Sequence, residues 1–514
     1  MKRFIQRFSD KVMGVLSGFD RLVFRGTLRQ IAYPRGMMGF LWYKQVRLKD
    51  FGNYVWQVTG KVKESSCRIA EEQRRPVEYL NSAQTDKAAL AGKIRERDRI
   101  ASGLIAIISC VEPCLGYDVS SRKGLIELLL RQRKCLFLYH YFIHPEFGLM
   151  NARIQSWFPF NIQVCINGRE WLSRQMDRRG IRYKRQENCF TWIEDVEAAQ
   201  KLLEKQLRTD WSSKLNEIAK TLNPIHEEIF KGFPVQYYWS TFASEWATDI
   251  LFEDRNELAK IYSPIVLHGI TTYRSADVMR FLGKRLRWDS EIEIVSDYKQ
   301  RPEGVRIKHR AGKNSVKLYD KQGSVLRTET TINDPQAFKV FRRKENDTSG
   351  QMKWRPVRRG IADLYRVAQI SQASNERYLD ALASADTSTP LGKLIEKICS
   401  HTKWNGKRVR ALHPSSPDDL KLFAAINSGE FSINGFRNRE LQNLLFQTIA
   451  NSQTEKHRRS SKVTRLIRLL RAHHLVRKVP GSHRYLVTPL GRDITAAVLA
   501  AQRITLEQLN RAIA

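Results

Sequence analysis

Three observations predict an α+β multidomain chain, with mixed helix/sheet N-terminal and central domains and a C-terminal module of helices closed by a hairpin. The 514 residues suit roughly two to four domains of ordinary size. Apolar residues make up 42 %, enough for packed cores, so a largely disordered chain is excluded. The hydrophobic period switches repeatedly between helical and strand-like spacing, and the small, polar string Ser384–Pro390 sets off the last quarter of the chain. The expected domains are a basic N-terminal region 1–130, an α+β layer 131–233, an aromatic helical segment joined to a basic β-block over 234–383, and the terminal module 393–514.

At the N-terminus Phe4, Phe8, Val12 and Val15 recur at helical spacing among charges, which predicts a basic amphipathic helix and no signal peptide. Asp20 to Gly26 reads as a strand ending at a glycine turn. Residues 62–100 have helical spacing, and Gly103 to Val111 reads as a buried strand bounded by Gly103 and Pro113. In the second region Cys135–Phe142, Ala152–Ser156, Asn161–Ile166 and Phe190–Ile193 predict strands. A helix over Arg169–Arg179 divides them, which gives a small α+β layer. Residues 193–230 follow as helix, with Leu202, Leu203 and Leu207 inward. The aromatics Tyr237, Tyr238, Trp239, Phe242, Trp246 and Phe252 read as a stripe at helical spacing, either core packing or a base-stacking platform.

Charge bounds the function. Eighty-eight Lys and Arg oppose 53 Asp and Glu, a formal +35, which points to a polyanionic partner, DNA ahead of structured RNA. No run of about 18 apolar residues occurs, so a soluble, cytoplasmic protein without a membrane role is expected, nucleoid-associated if it binds DNA. Seven scattered cysteines make no disulfide framework. Cys110, Cys114, His140 and His144 are either buried thiols and core histidines or a zinc set. No phosphate-binding glycine loop, dinucleotide turn, zinc-protease helix or serine elbow is present.

The terminal module carries the clearest pattern. Helices are expected over 417–427, Arg437–Phe446 and Ser460–His474, with a short strand at Phe431–Ile433. On the third helix Val463, Leu466, Ile467 and Leu470 form one inward stripe at i, i+3, i+4 and i+7. Arg458, Ser461, Lys462, Arg465 and Arg468 then face outward. Two alternating runs around Pro480-Gly481 predict a hairpin, and Pro489–Ala501 a closing helix. From Lys393 onward there are 22 basic and 8 acidic residues. The stretch LLRAHHLVRKVPGSHRYLVTPLGR (469–492) resembles the recognition helix and wing of the winged helix-turn-helix domain of bacterial transcriptional regulators. That resemblance implies DNA contact by the outward helix face, and phosphate contact by His483 and Arg484 at the wing tip.

The second informative stretch is 297–343. From Lys299 to Lys344 it holds 13 basic and 4 acidic residues, with Arg310, Lys313 and Lys317 as candidate backbone contacts. Val316–Lys321 and Val325–Thr331 alternate around Gln322-Gly323 and predict a β-hairpin. An odd loop places Lys317, Tyr319, Arg327 and Glu329 on one face; an even loop sets Tyr319 opposite Leu326 and splits the set. The gathered arrangement would suit phosphoryl transfer, with Tyr319 as nucleophile, Glu329 and Lys321 beside it, and Mg²⁺ or Mn²⁺ on Asp320, Glu329 and His309. The strings VKLYDK and VLRTE resemble the hairpin of rolling-circle replication initiators of plasmids and filamentous phages. Phe19–Phe24 is similar to their opening strand. The resemblance implies DNA nicking through a phosphotyrosine, although the histidine pair of those proteins is absent here. The acids Glu245, Asp249, Glu253 and Asp254 are either a reserve metal cluster on a helix or ordinary partners of nearby cations. Three functions compete: a DNA binder of a mobile element or regulator, a DNA-nicking and -joining enzyme, and the protein of a large structured-RNA particle.

Overall fold

The computed structural model describes residues 1–122, 125–284, 292–301, 304–344, 350–383, 391–427, 431, 435–446, 448, 450–480 and 482–502. The fold is α+β and multidomain, with two compact units. One comprises Met1–Val15, Thr248–Thr330 and Ile370–Ala514; the other comprises Leu16–Ala247 and Thr331–Gln369. In chain order the strands used below are β1 (Val12–Leu28), β2 (Val77–Leu80), β3 (Gly103–Arg122), β4 (Leu125–His144), β5 (Gly148–Gln155), β6 (Ile162–Asn167), β7 (Tyr183–Gln186), β8 (Cys189–Ile193), β9 (Tyr237–Phe252), β10 (Ile294–Arg301), β11 (Gly304–Ala311), β12 (Asn314–Lys321) and β13 (Val325–Ile332).

In the Leu16–Ala247 unit the strand order is β9–β1–β6–β5–β4–β3–β2. β2 runs parallel to β3, and the helix Lys87–Arg97 lies between them in sequence. That helix buries Ala91 and Ile94 against Ile105, Ile108 and Ile143. β3 and β4 form a long antiparallel hairpin, and β4 pairs with β5 from Phe137 to His144. The expected border at 130/131 therefore falls inside a paired strand and separates nothing. The predicted strands near 135–142, 152–156, 161–166 and 190–193 are all present, as is the helix at Gly168–Asp177. Leu202 and Leu203 are buried, while Leu207 caps the helix Val196–Gln206 and is half-buried.

Three expectations here need correction. The N-terminal helix stops at Arg7, and Val12 and Val15 lie in β1. Phe4 and Phe8 pack on one another at 4.8 Å, but Gly14 and Gly18 are poor helix formers and the β-branched valines favour a strand. Pro113 does not end β3, which runs on to Arg122. β2 pairs with β3 only as far as Cys110, so at Pro113 no strand among the described residues pairs with that side of β3, and a residue without an N–H is tolerated. The aromatic segment is not helical: Tyr237–Phe252 is a strand, in which Trp239, Thr241 and Ala243 are buried at every second residue.

In the other unit the order is β10–β11–β12–β13–β9, with antiparallel pairing from β10 to β12. β13 is buried along its whole length. His309, on β11, packs with Tyr273, Phe281 and Tyr378. Residues 391–502 have a core of their own. Leu422, Phe423, Phe436, Leu441, Val463, Ile467, Leu470, Val487 and Ile494 meet there. Helices Pro417–Ile426, Asn438–Leu445, Gln453–Ala472 and Pro489–Ala501 surround it, and Val476–Lys478 pairs with Tyr485–Val487. The expected border string Ser384–Pro390 lies outside the described residues, as do residues 432 and 433 of the expected strand; Phe431 is buried in this core. Among the described residues no helix is long and apolar enough to cross a membrane.

Candidate nucleic-acid interface and hairpin site

The helix Gln453–Ala472 starts seven residues before the expected Ser460, because Ser452 caps it: its hydroxyl accepts from the Glu455 N–H at 3.1 Å. Glu455 accepts in turn from the Asn451 N–H at 3.0 Å and pairs with Arg459 one turn on. Val463, Ile467 and Leu470 are buried, and Leu466 packs beside them. Arg458, Ser461, Lys462, Arg465 and Arg468 are all exposed. Arg459, by contrast, turns back to the Thr448 carbonyl. Among the described residues Arg458, Arg465 and Arg468 make no ion pair or hydrogen bond, and the Lys462 ammonium lies 6.0 Å from the Phe446 ring.

The hairpin after this helix is tied to the preceding elements by a bridge between Phe436 and Tyr485. Gly435 makes it possible. Its φ is +63°, and a Cβ there would sit 2.1 Å from the Tyr485 carbonyl oxygen. His483 is exposed at the tip. Arg484 is placed differently from the expectation. Its guanidinium donates to the Gly435 carbonyl at 3.1 Å and lies 3.9 Å from Glu440, so it braces the hairpin rather than extending into solvent.

On the β12–β13 hairpin the loop between Lys321 and Val325 has an odd number of residues, with Gln322 and Gly323 at positive φ. The predicted gathering follows. Lys317 Nζ donates to Glu329 Oε1 at 2.6 Å, and the Tyr319 hydroxyl donates to Glu329 Oε2 at 2.7 Å. Burial pushes the Glu329 carboxyl upward, but the Lys317 charge, the hydrogen bonds from Lys317 and Tyr319, and the Arg327 charge outweigh it and hold the group below its ordinary range. Arg327 itself is fully buried and donates from Nη2 to Asp249 Oδ2 at 2.8 Å. Lys321 is half-buried at the end of β12.

The expected metal set does not assemble. Asp320 accepts from the Gly323 N–H at 2.9 Å and so closes the turn. His309 is a buried histidine bonded to Ser296 at 2.8 Å and Tyr378 at 3.0 Å, and burial lowers its pKa to about 4. Among the described residues neither joins Glu329 in a group of atoms able to hold an ion. The same is true of Cys110, Cys114, His140 and His144: the first three are buried on β3 and β4, and His144 Nδ1 accepts from the Glu146 N–H at 3.0 Å. Of the candidate backbone contacts on this block, Arg310 pairs with Glu293 at 3.0 Å, Lys313 is exposed at the β11–β12 turn, and Lys317 is committed to Glu329.

Of the reserve acids, Glu245 and Asp249 sit on β9 and Glu253 and Asp254 follow its end, so the four share no helix face. Asp249 is held by Arg327, Glu245 by Arg21 at 2.9 Å, and Asp254 caps the helix Arg255–Thr271. Sequence reasoning missed the buried pair of Asp20 with Arg169, 3.8 Å apart, which Asn188 completes by donating to Asp20 at 2.9 Å. The signal for it was an acid beside Phe19 in a strand otherwise apolar except for Arg21, since a buried charge demands a partner. In comparisons with known proteins the chain matches no family model, no curated protein and no solved structure.

Proposed function

We propose that this chain binds nucleic acid, DNA in preference to structured RNA, through a C-terminal winged helix in which Gln453–Ala472 is the groove-reading helix and Val476–Val487 the wing. One observation carries the reading. Exposed Arg458, Lys462, Arg465 and Arg468 lie on one side of a helix whose other side is core, and no carboxylate among the described residues pairs with them. A helix that follows a helix and a turn and presents cations outward suits a major groove, with phosphate neutralisation supplying most of the affinity. The role fits a regulator or a mobile-element protein.

The test is a gel-shift series on the full chain, with duplex DNA and a structured RNA of equal length between about 50 and 200 mM salt. Tighter, steeply salt-dependent duplex binding that weakens in Arg465→Ala supports the reading. A preference for the RNA would instead favour a ribonucleoprotein component.

The Tyr319–Glu329–Lys317 contacts favour a second reading, a nickase. In it the Tyr319 oxygen attacks the phosphorus of a phosphodiester as its proton passes to Glu329, the P–O bond to one flanking sugar breaks, that sugar oxygen leaves as a hydroxyl by taking up a proton from water, and Lys317 balances charge. It predicts a covalent protein–DNA adduct, dependent on Mg²⁺ or Mn²⁺ and lost in Tyr319→Phe. Intact supercoiled DNA after incubation with wild-type protein and either ion would exclude it.

A further inference from the structure

The two-stranded ribbon formed by Lys339–Arg342 and Lys353–Pro356 carries a feature that the reading above leaves unused. Phe341 and Trp354 stand directly opposite one another across it, with ring centroids 5.7 Å apart. Both are turned to solvent, at 52 % and 68 % exposure, and Met352, on the same face as Trp354, is 45 % exposed. The opposite face, with Val340 and Arg355, is half-buried. A pleated ribbon that packs one face normally buries its largest apolar side chains there, and this ribbon displays them.

Charge says what covers them. Lys339 shares the aromatic face, Lys344 follows the first strand, and Arg342, Lys353 and Arg355 lie on the other face; among the described residues none of the five pairs with a carboxylate. Neighbouring Arg358 and Arg359 do, with Asp363 and Asp334. Exposed rings on a short ribbon whose cations have no carboxylate partner match a base with its phosphate. The base must be unpaired, because a duplex keeps its base faces stacked within itself.

We propose that the Phe341–Trp354 ribbon is a stacking platform for single-stranded nucleic acid. It deepens the nucleic-acid reading by adding a site for unpaired strands, separate from the helix Gln453–Ala472. Stacking tolerates any base, so the platform would hold a strand without selecting its sequence.

Fluorescence anisotropy on the full chain tests this with four labelled probes: oligothymidylate and oligouridylate of about 12 nucleotides, an abasic strand of equal length, and a duplex. The wild type is expected to bind a thymidylate or uridylate strand about ten-fold or more tightly than the abasic one. Phe341→Ala with Trp354→Ala should remove that advantage and leave duplex affinity within about two-fold. Trp354→Phe, which keeps an aromatic face and the ribbon, should retain most of it. Which of the two strands binds more tightly tells a DNA from an RNA ligand. Equal binding of abasic and base-bearing strands, or single-strand affinity unmoved by the double alanine variant, overturns the platform while the duplex reading stands. Single-strand binding without duplex binding overturns the duplex reading alone.

Discussion

The helix Gln453–Ala472 and the β12–β13 hairpin carry the same kinds of cation and use them in opposite ways. On the helix, Arg458, Arg465 and Arg468 point away from the core and make no hydrogen bond or ion pair among the described residues. On the hairpin, Lys317 and Arg327 point into the fold, where Glu329 and Asp249 receive them. The local geometry explains the difference. One helix surface can be core while the other is water, so a cation at the outward phase needs no counter-ion. β13 is buried throughout, so each charge on it must find an opposite charge or leave an uncompensated desolvation cost. A charge count therefore overstates how many cations the β-block leaves available and describes those of the helix fairly.

The sharpest way to break this contrast is at the buried pair. Arg327→Ala or Asp249→Ala strands a charge in the interior and should cost about 3–5 kcal/mol, read as a large fall in the thermal or urea midpoint. Joint replacement by Arg327→Met and Asp249→Leu should cost much less than either single change. Equal losses in the single and joint variants would show that the pair is not the source.

Next in size is the acid response of the β-block. His309 is held neutral, with a pKa near 4 set by burial. Because the unfolded histidine titrates near 6.5, the unfolded state takes up the proton first. Its stabilising contribution is complete above that value and falls away toward pH 4, by up to about 3 kcal/mol. Glu329 acts in a lower window: its carboxyl is depressed below 4.5, so its contribution is complete above that pH and lost below it. Melting curves from pH 7 to about 3 should show both steps. His309→Gln should shrink the upper step without abolishing it, because buried His140 and His268 are lowered to about 4 as well, and Glu329→Gln should shrink the lower. A profile flat from pH 7 to 5 in the wild type would contradict the upper step.

The smallest stability effects belong to the exposed cations, which separates function from fold. Arg465→Ala and Arg468→Ala should each move stability by no more than about 0.5 kcal/mol. Each should also lower the salt slope of DNA binding by about one. Arg310→Ala, at an exposed pair with Glu293, should change stability by less than about 1 kcal/mol.

Much of this was legible in the residues wherever a pattern is local. The stripe Val463, Leu466, Ile467 and Leu470 located a helix and its outward face together, because both follow from one period. Gly323 in an odd loop brought Lys317, Tyr319 and Glu329 onto one face, because hairpin register is fixed by the turn. Val12–Val15 and Tyr237–Phe252 were harder. Their apolar residues satisfy helical spacing in part, and which neighbours cover them decides the outcome. The sequence by itself thus determined the short-range elements, the faces they present and the excess of positive charge. Only the tertiary structure decided which cations remain available, since Arg327 meets Asp249 across 78 residues of chain and no local spacing encodes that encounter. The physical reason is that periodicity reports which side of an element avoids water, while the identity of the partner on that side is set by long-range pairing.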